Sequence, residues 1–178
     1  MIDLNALTAP ARRMQSLMTW GLALLYAVMA GLVLAVVTAP ARLGHSLATV
    51  SGFPDAPIGD WQSTLLLLIV ALHLAVWLVL FGIARKVFQH LAEADPDSAA
   101  QSAQSLSYWL WAMLAWGLAS QMFVSVVATW GMPEGQRALH LAFGTSEIFV
   151  AFSALIAGFM ARAFALGAEL WRDHREVI

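Results

Sequence analysis

A few polar side chains interrupt the long apolar runs of this sequence, and they are the residues that could do chemistry. Glu147 supplies a carboxylate, His73 an imidazole and Gln121 an amide, each within a run of otherwise apolar residues. In a low dielectric, a carboxylate and an imidazole have shifted pKa values and can exchange a proton. We therefore treat Glu147 and His73 as a candidate proton-linked or cation site, with His73 or Gln121 as the expected partner of Glu147.

The same polar residues have a second interpretation, in which they form interhelical hydrogen bonds that fix the register of packed helices. Such bonds contribute ~0.6 kcal/mol each on average in a membrane. At ~1.5 Å per residue, five polar groups fall ~12 to 18 Å from one end of the predicted helices. An ionisable group at that depth must face the protein interior. We expect these five side chains to converge on one layer: His73, Glu147, Gln121, Ser120 and Tyr26.

Other kinds of chemistry have little support in the sequence. It contains no cysteine, which excludes disulfides, thiolate zinc sites and iron–sulfur ligation. It has no nucleophile motif and no Gly-rich phosphate loop, so we expect no enzyme activity, no metal and no cofactor. A haem between His73 and His140 is disfavoured because their predicted depths differ by ~16 Å. A net charge of -2 and dispersed basic residues disfavour nucleic-acid binding.

Four apolar runs position these side chains, and each is long enough to cross a bilayer. A helix needs about 20 apolar residues to span ~30 Å of hydrocarbon. The runs cover about residues 17–37, 61–83, 108–130 and 139–164. Because 61% of the 178 residues are hydrophobic and only 11% are charged, a second soluble domain has no room. The predicted fold is one all-α domain, an integral membrane four-helix bundle.

The distribution of Lys and Arg predicts how the chain crosses the membrane. Of the nine basic residues, only Arg42 and Arg137 lie on the side opposite the termini and the connection between the second and third spans. The positive-inside rule therefore places both termini in the cytoplasm, and we expect a bacterial inner-membrane protein. Residues 84–107 should form a cytoplasmic helical hairpin that turns before Asp95-Pro96, with Ser98 or Asp97 capping the next helix.

A resemblance to a known family rests on this hairpin and on the C-terminal end. The first segment runs from Val87-Phe88-x-x-Leu91 through Asp95-Pro96 into Ser105-Leu106-Ser107. The second is Phe164-x-x-Gly167-Ala168-Glu169-Leu170, followed by Arg175-Glu176-Val177. Together they are similar to an uncharacterised bacterial four-span membrane family, domain of unknown function family 2975. The similarity covers most of the chain from about Leu66 onward and implies a fold and a membrane location, but no activity.

Small residues recur at every fourth position in the first and fourth runs. Since lipid offers no hydrophobic gain for helix association, small side chains that permit close backbone approach are the usual contacts. We expect the first and fourth helices to touch along these stripes, although such a spacing also arises by chance in an alanine-rich chain. A homo-oligomer through the same surface is an alternative. The stripes contain Ala23, Ala27, Gly31 and Ala35 in the first run, and Ala157 and Ala161 in the fourth.

These features favour an interaction or regulatory subunit in the lipid bilayer. Its cytoplasmic hairpin and its C-terminal tail, residues 164–178, are the surfaces expected to bind a membrane or cytoplasmic protein partner. The alternative is a small proton-linked transporter or channel that works through the Glu147 and His73 cluster.

Overall fold

A computed structural model describes residues 5–54, 56–133, 135, 137 and 139–176, and most of them are helical. The helices are α1 (Asn5–Thr38), α2 (Pro40–Val50), α3 (Asp60–Ala92), α4 (Pro96–Thr129) and α5 (Thr145–Glu176). All but the short α2 are long and apolar enough to cross a membrane, with mean hydropathies from 1.6 to 2.8 in their most apolar windows. The chain is therefore an all-α, multi-pass membrane bundle, as predicted.

The four long helices pack in chain order, each against the next. α1 packs on α3, α3 on α4 and α4 on α5, whereas no extended interface joins α1 and α5 in the described part of the chain. The expected contact between the first and fourth spans is therefore wrong. α3 and α5 pack on α4 without an extended interface of their own.

The small residues of α1 do not make its packing face. Ala23, Ala27 and Gly31 are exposed, and a Cβ at Gly31 would meet no atom within 4 Å. α1 is instead half-buried along another face, which carries larger side chains such as Leu25 and Met29. Larger apolar side chains offer more dispersion contacts, so the small-residue stripe remains on the outside. Further along that stripe, Ala35 is half-buried, in a different environment from the three residues before it.

The small residues of α5 do permit a close approach, but toward α4. Ala157 and Ala161 are buried. Near them, Ser107 Oγ of α4 donates a hydrogen bond of 2.8 Å to the carbonyl oxygen of Ala154. A Cβ at Gly158 would lie 3.2 Å from the same Ser107 Oγ. The α5 stripe therefore brings a helix backbone within reach of a neighbouring hydroxyl.

α3 and α4 form the predicted helical hairpin, which turns at residues 93–95. α3 ends at Ala92, before Asp95-Pro96 as expected. Asp95 is the N-cap of α4, because its Oδ1 accepts a bond of 3.1 Å from the Ser98 backbone N–H. The expectation that Ser98 or Asp97 caps this helix is therefore wrong. We call this end of the molecule the hairpin end.

The opposite end of the molecule is defined by the start of α3 and the end of α4. The rings of Trp61 and Trp130 meet edge to face with centroids 6.4 Å apart. The buried Gln62 accepts a bond of 2.7 Å from the Gly59 backbone N–H and donates one of 2.9 Å to the Val127 carbonyl oxygen. These contacts set the two helix ends at the same level.

The fourth crossing differs from the predicted span. A helix was expected from about residue 139, but α5 begins at Thr145, and residues 139–144 are not helical. The physical reason lies in α4, whose side chains bind the backbone of this segment.

Candidate functional site

The segment 139–144 runs alongside α4 and is held there through its backbone. The N–H of His140 donates to Ser125 Oγ at 3.0 Å, and the N–H of Ala142 donates to Gln121 Oε1 at 2.9 Å. Gln121 and Ser125 are one helical turn apart, ~6 Å along the axis, which is close to the advance of two residues in an extended chain. Inside a membrane, non-helical backbone requires such partners.

Alternate residues of the segment 139–144 have different roles. Leu139, Leu141 and Phe143 are exposed at 61%, 55% and 66% of their surface. These apolar side chains suit lipid. The alternate residues carry the amides that bond to α4 and to α5. Residues 139–144 therefore cover one flank of α4 and form the outer part of the fourth crossing.

Glu147 lies deeper in the bundle than its sequence position suggests. Ser107 is 23 residues before Trp130, ~34 Å along α4, and its bond to Ala154 places Ala154 at that level. Glu147 precedes Ala154 by seven residues, so its Cα lies ~24 Å from the Trp130 end rather than the expected ~12 Å. The difference arises because residues 139–144 advance further per residue than a helix would.

The carboxylate of Glu147 is held by four neutral donors, one of which is its own backbone N–H. Its Oε2 accepts from the Gly144 backbone N–H at 2.8 Å and from Ser146 Oγ at 2.9 Å, while its Oε1 accepts from Gln121 Nε2 at 3.2 Å. The bond to Gly144 is the carboxylate half of a capping box, since Glu147 is the third residue of α5. A negative charge there also interacts favourably with the helix dipole.

The structure brings together some of the predicted polar residues and separates the others. Of the two partners expected for Glu147, Gln121 is the one in contact. Ser120 is buried nearby, although its hydroxyl donates to the Gly117 carbonyl oxygen of its own helix at 2.9 Å. Two of the five, His73 and Tyr26, do not join this group. The predicted single layer of five residues is therefore wrong.

His73 and Tyr26 are elsewhere because of the order in which the helices pack. His73 is on α3, where its Nε2 accepts from Trp77 Nε1 at 3.3 Å, and α3 has no extended interface with the α5 helix that carries Glu147. Tyr26 is 62% exposed on α1. Equal depth in the membrane places residues at one level, but only adjacent helix faces bring them into contact.

Sequence reasoning missed Ser125 and Gly144 as members of this site. Ser125 Oγ accepts from the His140 N–H and also donates to the Gln121 carbonyl oxygen at 2.8 Å. The sequence contains a signal that could have identified each of these two residues. Ser125 follows Gln121 by four residues and so shares its helix face, and Gly144 precedes Glu147 by the three residues of a capping box.

These residues surround a cavity of about 380 Å³. We call it the Glu147 cavity. One wall comes from the end of α2 and the residues after it, one from α4, and one from the segment that leads into α5. Among the described lining residues, Glu147 is the one acidic side chain, and Lys and Arg are absent. The lining consists of Val50, Ser51, Phe53, Ser120, Gln121, Val124, Ser125, His140, Ala142, Gly144, Ser146 and Glu147.

Metal binding has no geometric support at this cavity. Within the described residues, no group of three or more His, Asp or Glu side chains is placed to hold a metal ion. The cavity offers one carboxylate together with hydroxyl, amide and apolar groups. Its chemistry is therefore that of a single carboxylate in an open, partly apolar cavity.

Comparison of the chain with protein-family models, with curated proteins and with solved structures finds no match. The resemblance to the uncharacterised four-span family stays a prediction.

Proposed function

We propose that this chain is an interaction or regulatory subunit of the bacterial inner membrane, with both termini in the cytoplasm. Its partner is a protein that binds at the hairpin end, which carries most of the basic residues and would face the cytoplasm. The observation that carries this proposal is an exposed apolar stripe on α5.

The α5 stripe is formed by Phe152, Phe159, Leu166 and Leu170. Their spacings of seven, seven and four residues place them on one face of the helix. Phe159 and Leu170 are exposed over 74% and 71% of their surface, respectively. Phe152 and Phe159 lie within the span, where an exposed apolar side chain suits lipid, whereas large apolar residues that stay exposed outside the membrane are typical of an interaction surface.

The stripe continues beyond the expected membrane boundary. Ala161 packs with Val87 and Ala103 in the core of the hairpin. At that level α3 has already passed the exposed basic residues Arg85 and Lys86, which are typical of the cytoplasmic edge of a membrane. Leu166 and Leu170, the last part of the stripe, therefore lie next to polar residues of the chain. They are outside the part of the bundle that faces lipid. An amphipathic helix of a partner would bury it.

Site-directed photo-crosslinking tests this interaction. A photo-reactive residue replaces Leu166 in the full chain, in membranes of a bacterial host, and adducts are resolved by mass. We expect one discrete protein adduct, and twice the mass of the chain would identify a second copy as the partner. Leu170→Glu should reduce the adduct at least tenfold, because the charge would be buried in the interface.

The matched control places the same charge on another helix, near the hairpin end. Gln101→Glu, on the exposed face of α4, should leave the adduct unchanged. An adduct whose yield is the same in wild type and in Leu170→Glu would contradict the proposal, and so would labelling of lipid alone.

A second candidate function is that of a small proton-linked transporter or channel, and the interrupted fourth crossing favours it. A helix that begins inside the membrane and presents a carboxylate to a cavity is a frequent arrangement at ion and substrate sites. In this chain the arrangement consists of Glu147, its partner Gln121 and the segment 139–144. His73 is not among the residues that line the Glu147 cavity.

Proton flux in proteoliposomes tests this second function. The wild-type chain should dissipate an imposed pH gradient faster than protein-free liposomes, and Glu147→Gln should return the rate to background. Glu169→Gln, which neutralises an exposed carboxylate of the same helix at the hairpin end, is the matched control and should retain the flux. Background flux in the wild type would contradict a transport role.

A further inference from the structure

Two nitrogen donors inside the membrane span lack a hydrogen-bond acceptor in the described part of the chain. The Nε1 atom of Trp116 is buried and has no partner there. His73 accepts at Nε2 from Trp77 Nε1 at 3.3 Å, and this is its one hydrogen bond among the described residues. An imidazole that accepts at one nitrogen carries its proton on the other. His73 Nδ1 is therefore a second donor without an acceptor.

His73 and Trp116 lie at one level of the interface between α3 and α4. The bond from Gln62 Nε2 to the Val127 carbonyl oxygen sets the register of these two helices. His73 follows Gln62 by 11 residues, and Trp116 precedes Val127 by 11, which is ~16 Å along each helix. Because 11 residues are close to three helical turns, each residue also shares the face of the one from which it is counted. The two donors are therefore on the facing sides of α3 and α4.

The depth of this pair restricts the acceptor that can reach it. His73 follows Trp61 by 12 residues, ~18 Å along α3, which is near the centre of ~30 Å of hydrocarbon. The ester carbonyls of the lipids lie at the interface, ~15 Å away. A water molecule would bring two further donors into a place without acceptors. A carbonyl oxygen has two lone pairs and adds no donor, so it can satisfy both nitrogens.

The side chains next to His73 favour a planar, conjugated ring. Trp77 and Phe81 follow it at intervals of four residues on α3, and their two rings lie with centroids 6.1 Å apart. Such rings pack favourably on other aromatic or conjugated rings. His73 is half-buried and the adjacent Leu72 is 47% exposed, so this part of α3 borders lipid. A ring compound dissolved in the bilayer can therefore approach His73 from the hydrocarbon.

We propose that His73 and Trp116 bind a carbonyl oxygen of a lipid-soluble quinone between α3 and α4. His73 Nδ1 and Trp116 Nε1 donate to this oxygen, and the quinone ring packs against the aromatic side chains of Trp77 and Phe81. Binding at these two nitrogens involves neither the hairpin end nor Glu147. It gives α3 and α4 a role beyond both functions proposed above.

Solution NMR of the full chain in detergent micelles, with ¹⁵N-labelled tryptophan, tests this site with duroquinone as the probe. We expect the indole N–H resonance of Trp116, assigned through Trp116→Phe, to shift saturably on titration. Durene, the same methylated ring without carbonyl oxygens, should give no saturable shift. His73→Leu should weaken duroquinone binding about fivefold, because it removes one neutral hydrogen bond.

A second variant keeps the test decisive if His73→Leu unfolds. Trp116→Phe keeps an aromatic ring without the N–H donor, and the indole resonance of Trp77, which is bonded to His73, should then report a similarly weakened affinity. Trp111→Phe, which removes a 43% exposed indole from α4, is the matched control and should bind as the wild type does. No saturable shift at Trp116, an equal shift with durene, or unchanged affinity in Trp116→Phe would overturn the proposal.

Discussion

Gln121 and Glu147 join α4 to α5 through a hydrogen bond of 3.2 Å between Gln121 Nε2 and Glu147 Oε1. The other end of the same amide, Oε1, accepts from the Ala142 backbone N–H at 2.9 Å. One side chain therefore fixes both the carboxylate and the non-helical segment that precedes α5. Loss of this amide would leave a donor and an acceptor without their partners.

We expect Gln121→Leu to lower the free energy of unfolding by about 1 to 3 kcal/mol, because polar groups left without a partner within a membrane span cost at least that much. Denaturant unfolding in detergent measures the change. Gln101→Leu, an amide on the exposed face of the same helix, should change stability by less than about 0.5 kcal/mol. Equal effects of the two variants would show that Gln121 does not hold the segment.

Ser125→Ala should loosen the segment 139–144. The hydroxyl of Ser125 accepts from the His140 N–H at 3.0 Å, and removing a bond worth ~1 kcal/mol should speed exchange of that amide about fivefold. Hydrogen–deuterium exchange in nanodiscs measures the rate. Ser153→Ala, an exposed serine of α5, is the control, and unchanged exchange at His140 in Ser125→Ala would contradict the assigned bond.

The substitutions Gly44→Ala and Gly31→Ala should have opposite effects on the stability of the protein. At Gly44 an added Cβ would lie 2.7 Å from Ser63 Cα and would also clash with the Ser63 side chain, so Gly44→Ala should destabilise by about 1 to 3 kcal/mol. At Gly31 nothing lies within 4 Å, and Ala is the better helix former by up to ~1 kcal/mol. Thermal unfolding in detergent compares them, and a destabilising Gly31→Ala would show that a second helix packs on that stripe.

Asp95 should make the hairpin turn sensitive to acid. Bonds from the Ser98 side chain and from the Ser98 backbone N–H hold the pKa of the Asp95 carboxyl below its usual value of 3.8. Because the folded-state pKa is lowered, the stabilisation is complete above the unfolded-state pKa and is lost as the pH falls through the folded-state value.

Unfolding curves of wild type and Asp95→Ala, recorded from neutral to acidic pH, measure this effect. The variant should melt a few degrees lower at neutral pH, since it lacks the cap, and the difference should shrink as the carboxyl of the wild type is protonated. Asp95→Asn keeps an acceptor without the charge and should retain most of the stability. A difference between wild type and Asp95→Ala that is constant across the range would contradict the role of the ionised carboxylate.

The sequence by itself determined the number of membrane-spanning segments and the helical hairpin between the second and the third. A crossing requires only a long enough apolar run, and a turn at Asp95-Pro96 follows from the restriction that proline imposes on the residue before it. These are local properties of composition and order, and they do not depend on which helices become neighbours.

The tertiary structure alone decided where α5 begins and what Glu147 contacts. The run from Leu139 is apolar enough for a helix, yet Gln121 and Ser125 bind its backbone amides and hold it in another conformation. In the same way, the stripe around Gly31 faces outward. Lipid-facing and interior surfaces of a membrane helix are both apolar, so a sequence does not show which face packs, and only the arrangement of neighbouring helices settles it.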